Sequence, residues 1–147
     1  WTPDKYQQTE RVARNKIPKQ ISNVALRTAL RAVTDESERP KLRALVLDGA
    51  SAGTTRGLVK LGLQERHITV VNPHTHVVHS LRNMGVNAYA GRIQDFIATR
   101  PAGHPPYDVI FLDLTSSLPP LLSTIRALFK NHLISSDTVL AVTTSTR

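Results

Sequence analysis

The chain has 147 residues and carries 19 Lys and Arg against 11 Asp and Glu, a net charge of +8. That length suits one domain and is too short for two independent cores. With 40% hydrophobic residues, 20% charged residues and no cysteine, the composition excludes wholesale disorder, disulfides, thiolate chemistry and Cys-ligated metal centres. No apolar run approaches the roughly 20 residues that span a bilayer. The chain opens at Trp1 rather than Met and shows no secretory leader. The expectation is therefore a processed form or a fragment of an intracellular protein without a membrane partner.

The first 40 residues read as a basic helical extension and linker. Lys5, Arg11, Arg14, Lys16, Lys19, Arg27 and Arg31 face only Glu10 between positions 5 and 31, a local net of +6. Such an array suits phosphate tracking, and aromatics at 5% are too sparse for a base-stacking platform. The expected partner is a nucleic acid with structure, RNA more than DNA. Ile21, Val24, Ala25, Ala29 and Ala32 recur at helical spacing and predict the packing face of a helix reaching residue 33. Pro18 splits this stretch or opens its second helix. Residues 34–40, ending in Pro40, form a polar linker.

From residue 41 to 147 strand-like and helix-like units alternate. Leu42–Leu47 is a near-continuous apolar run, broken only by Arg43, as a strand covered on both faces requires. A small-residue loop and a helix over Thr55–Leu63 follow. Ile68–Val71 predicts a second strand, Thr75–Met84 a helix stopped by Gly85, and Val86–Ala90 a third strand. A helical turn over Ile93–Thr99 and a Pro-Gly loop over 101–106 precede a fourth strand, Tyr107–Leu112. Pro119–His132 is helical and Thr138–Thr143 a fifth strand. The pattern is an α/β fold: a doubly wound, mostly parallel sheet with helices on both faces.

Ligands in such sheets sit beyond the carboxyl ends of the strands, where strand order reverses. The loops to weigh are therefore those after each strand. Asp48-Gly49-Ala50-Ser51-Ala52-Gly53-Thr54-Thr55 combines small residues, which admit a ligand against the backbone, with a following helix start. It lacks both the G-x-G-x-x-G and the G-x-x-x-x-G-K-[ST] patterns.

Together, LVLDGASAGTTRGL, ITVVNPHTHVVHSL, VNAYAGRIQDFI and YDVIFLDLTSS resemble the class I S-adenosylmethionine-dependent methyltransferases. The likeness is to a divergent subset with an L-D-G-x-x-x-x-T-T first motif. It spans residues 41–143 and implies a Rossmann-like sheet, S-adenosylmethionine as cofactor and methyl transfer as the activity. On that resemblance, Asp48, Gly49, Ala50, Ser51, Gly53, Thr54 and Thr55 lie beside the methionine moiety. Asn72 and Pro73 stand where an acid usually holds the ribose, so Asn72→Asp is expected to tighten binding. Arg92, Ile93, Gln94 and Asp95 fall at the adenine. Asp113 falls beside the transferred methyl group as the catalytic candidate.

The sequence departs from the family pattern as well. The ribose acid is missing, motif IV reads Asp113-Leu-Thr-Ser, and the chain ends after five strands where the family has seven. A truncated C-terminus is one expectation. A turnover-free module that binds RNA or a protein assembly is the alternative function. His74, His76 and His79 are close in sequence, but without Cys or a nearby carboxylate no metal site is assigned. A serine nucleophile lacks its elbow motif, and a phospho-receiver site lacks its acidic pair and lysine.

Overall fold

The computed structural model describes residues 20–114 and 118–144. Five strands form one sheet in the order β3-β2-β1-β4-β5. They are β1 (Ala44–Val46), β2 (Ile68–Asn72), β3 (Asn87–Ala90), β4 (Val109–Asp113) and β5 (Val139–Thr143). Every neighbouring pair is parallel. This is the expected α/β, Rossmann-like sheet. Parallel strands are buried on both faces, which is why β1 and β4 read as unbroken apolar runs and not as alternating ones.

Two apolar clusters sandwich the sheet. Val46, Val70, Val109 and Phe111 point to one side, where α1 (residues 20–33), α2 (Gly53–Leu61) and α3 (Thr75–Asn83) pack. Leu45, Val71, Ile110 and Leu112 point to the other, beneath α4 (Ile93–Ala98) and α5 (Leu118–Lys130). Consecutive residues thus face opposite layers, the period of two that a strand imposes. Pro119 and Pro120 sit in the first turn of α5, where a missing N–H leaves no helical bond unmade.

The packing face of α1 differs from the sequence reading. Ile21 and Val24 are 64% and 53% exposed, and Ala25, Ala29 and Ala32 also face solvent. The seam is Leu26 and Leu30, at 2% and 0% exposure. Two leucines four residues apart bury more apolar surface than a stripe weighted toward alanine, and that difference sets the helix rotation. They join the cluster formed by β1, β2, β4, α2 and α3. The segment 34–40 is folded tightly: Arg39 donates from Nε to Thr34 Oγ1 and from Nη2 to the Thr34 carbonyl, both at 3.3 Å. Lys5, Arg11, Arg14, Lys16, Lys19 and Pro18 lie outside the described residues.

At the amino end of β4, burial pushes the Tyr107 phenol above its ordinary value, against the opposing pull of Arg100 and Arg43. Among the described residues, no helix is long and apolar enough to cross a membrane.

Because Leu30 is sealed against the sheet, Leu30→Ala is expected to cost about 2–5 kcal/mol of stability. Urea unfolding with an unchanged slope checks this; a loss no larger than that of Ala29→Gly would show α1 to be loosely attached.

Candidate functional site

The strand order reverses between β1 and β4, since β2 and β3 lie to one side of β1 while β5 lies beyond β4. A crevice at the carboxyl ends of β1 and β4 is where a doubly wound sheet holds its ligand. Among the described residues, the loops after β1, β2 and β3 and the ends of β4 and β5 frame this edge.

The β1 loop is organised by Asp48, which is 9% exposed. Its Oδ1 accepts from the Gly49 N–H at 3.0 Å, and Oδ2 accepts from the Thr55 N–H at 2.9 Å and from Thr55 Oγ1 at 3.0 Å. The residue at the N-cap of α2 is Ala52, whose methyl side chain cannot cap. Asp48 therefore caps the helix from four residues upstream, taking the amide of its third residue. The L-D-G-x-x-x-x-T-T pattern is the sequence trace of this closure. Asp48 is turned toward its own loop and takes the Gly49 N–H, and the Gly49 carbonyl accepts from the Ala52 N–H at 3.0 Å, so the exposed Ala50 and Ser51 are the loop residues left to meet a ligand.

Ala52 carries φ 51° and ψ 38°, the left-handed region. For an alanine this costs roughly 1–2 kcal/mol. Its methyl is 1% exposed in the core, so glycine would relieve strain but empty a packed position. Gly49 is the open point of the loop: a Cβ there would meet nothing within 4 Å. Gly53, exposed at the first turn of α2, is nearly as open.

The β2 end is tied to this loop. Asn72 donates from Nδ2 to the Asp48 carbonyl at 3.0 Å, and its Oδ1 accepts from the His74 N–H at 2.8 Å. Both ends of the amide are engaged within the protein, so the group expected at a ribose acts here as a clamp between two loops. Pro73 beside it is exposed. After β3, Gly91 at φ 150° bonds back to the Asn72 carbonyl, bringing the β3 loop into the same edge.

The adenine candidates divide. Ile93 is buried under the sheet, Arg92 and Asp95 are exposed, and Gln94 donates to Thr124 Oγ1 of α5 at 3.1 Å. At the end of β4, Asp113 is half-buried, and its Oδ1 accepts a hydrogen bond from Thr143 Oγ1 at the end of β5. Ser116 and Ser117 lie outside the described residues.

Sequence reasoning missed the reach of α1 into this edge. Asn23 Oδ1 accepts from Thr54 Oγ1 at 2.8 Å, and the Arg27 guanidinium lies over Gly57, where a Cβ would come within 2.6 Å of Nη1. A single Asn in a helix gives no signal of such a contact, whereas a Gly in the middle of α2 does mark a close approach. His74 and His76 stand with ring centroids 5.7 Å apart, and among the described residues no cluster of three potential ligands for a metal ion occurs.

Neither a protein-family model nor a curated protein sequence matches this chain. Solved structures do. A provisionally assigned methylase from Haemophilus influenzae superposes with a TM-score of 0.66 at 16% identity, covering 85% of this chain and 72% of its own. A Corynebacterium glutamicum protein whose name states no activity gives 0.56 at 15% identity over 96% and 68%. A methyltransferase from Geobacter sulfurreducens gives 0.53 at 13% identity over 96% and 72%. The fold of this chain is a methyltransferase fold.

The clamp geometry reverses the outcome expected from sequence for Asn72→Asp. A carboxylate at this position has no N–H to offer and sets negative charge against the Asp48 carbonyl, so stability falls by about 1–3 kcal/mol. Thermal unfolding of the variant checks this, and an unchanged midpoint with tighter cofactor binding would restore the ribose reading.

Proposed function

We propose that the chain binds S-adenosylmethionine at the β1–β4 switch and transfers its methyl group to a nucleic acid, RNA in preference to DNA. The observation that carries this reading is the open space over the loop at Gly49, located where strand order reverses and where Asp113 also ends a strand. The methyltransferase fold of the similar structures supports the reaction class, and the net charge of +8 supports a polyanionic acceptor.

The residues present fit the cofactor at the loop: with no Cβ at Gly49 and Asp48 drawn inward, a ligand can come close to the chain at the exposed Ala50 and Ser51. When bound, the cofactor supplies a methyl group activated by an adjacent sulfonium. The work of the chain is then largely positional. Asp48 and Thr55 hold the loop in one shape, and Asn72 fixes that loop against the end of β2. Asp113, held by Thr143, accepts a hydrogen bond from an acceptor N–H and so turns the nitrogen lone pair toward the incoming carbon.

One observation favours a second reading, a binding module without turnover. Asp48 and Asn72 spend their polar atoms inside the protein, and no acidic side chain stands at the end of β2 in the sequence.

Calorimetric titration with S-adenosylmethionine and its demethylated product separates the two. Saturable heat is expected. With Asp113→Ala, binding persists while methyl incorporation into a mixed RNA pool falls by about 10²-fold or more. A folded protein that takes up neither compound establishes the module reading in its place.

A second expectation concerns the basic extension. Replacing Arg11, Arg14, Lys16 and Lys19 with Gln lowers affinity alike for unrelated RNA sequences. The slope of log K against log salt becomes shallower by roughly 0.7–0.9 for each phosphate that is no longer neutralised. Binding that equals the parent at every salt concentration shows those four residues to be only solvated charge.

A further inference from the structure

The helices on the two faces of the sheet differ sharply in charge. On one face α1, α2 and α3 carry Arg27, Arg31, Arg56, Lys60 and Arg82 and not one Asp or Glu among residues 20–33, 53–61 and 75–83. All but the half-buried Arg27 are exposed, and His76 and His79 on α3 are exposed beside them. Two of these cations have neutral partners: Arg82 donates to the Ala88 carbonyl and Arg56 reaches the Met84 sulfur at 3.6 Å. Three acids lie at the other end of the strands. Glu38, Asp108 and Asp137 line a depression of about 510 Å³ at the amino edge of the sheet, opposite the candidate site.

A groove of about 490 Å³ runs along α2 within the basic layer. Arg56 and Lys60, one helical turn apart, stand on its rim. Val59 and Met84, 40% and 41% exposed, give it an apolar floor, and Glu65 is the acid among its lining residues. Cations spaced along a rim over an apolar floor suit a sugar–phosphate strand, whose phosphates meet the rim while ribose and base edges cover the floor. The groove begins at Ala52 and Thr55, the closing residues of the candidate cofactor loop. A strand lying in it therefore leads toward that loop.

We infer that the α1–α2–α3 layer, with the groove along α2 at its centre, is the face on which a nucleic-acid strand docks. The inference rests on the nucleic-acid reading above and adds to it the surface of α2 and α3, which the basic extension does not include. The other layer supplies a matched control, because Arg126 and Lys130 on α5 are also exposed and also four residues apart.

The test compares Arg56→Gln/Lys60→Gln with Arg126→Gln/Lys130→Gln in the full chain. Binding to a fluorescent RNA hairpin is read by anisotropy across a salt series, with S-adenosylmethionine titrated in parallel. Both doubles lose the same charge, so a difference between them reports location. The expected result is a loss of affinity of about tenfold or more at low salt for the α2 pair, a slope shallower by roughly 1.4–1.8, and little change for the α5 pair. Equal losses from the two doubles, or a loss confined to the α5 pair, overturn the docking face while leaving the nucleic-acid reading intact. A parent that ignores the hairpin at every salt concentration but binds phosphatidylserine vesicles overturns both and makes the layer a membrane-facing surface.

Discussion

The site depends on one buried carboxylate. Asp48 closes a loop of small residues onto the third amide of α2, and its own carbonyl receives the Asn72 side chain from the next strand. Without that acceptor the loop has no cap, because Ala52 stands where a capping side chain would be. Its left-handed backbone needs a surrounding structure that over-determines it. The shape of the ligand edge thus follows from three hydrogen bonds to a single side chain. The same bonds explain why a methyltransferase-like sheet can lack the usual glycine pattern: shape that glycines allow elsewhere is imposed here by a carboxylate and a threonine.

How much of this was legible in the sequence varied with the kind of information involved. Strand identity was readable because β1 and β4 are covered on both faces, and only an unbroken apolar run satisfies that. The position of the candidate site is argued from the same pattern, since every alternating unit must present a loop at the carboxyl edge. Side-chain direction was not readable. Asp48 and Asn72 sit where a ligand contact is expected, yet a partner 7 or 24 residues away along the chain takes their polar atoms. Periodicity ranks residues by polarity and not by the depth of the groove they meet. Helix α1 shows the result: its stripe of Ile, Val and Ala lies outward while two leucines face in.

Charge, by contrast, was visible in total and hidden in arrangement. The extension announces itself as a run, but the cations of α2 and α3 are separated in sequence by a strand and two loops. Only the right-handed crossovers of a parallel sheet bring those helices to the same side as α1.

The seat of α1 also has a consequence for how the chain is made. Leu30 packs in a cluster with Val109 and Phe111, with Val139 against it, residues that leave the ribosome long after the helix does. At about 5–20 residues per second, that helix waits on the order of ten seconds for its partners. Throughout that wait it is an amphipathic segment with two leucines uncovered. Cotranslational folding of this protein therefore keeps α1 from its seat until the sheet is nearly complete.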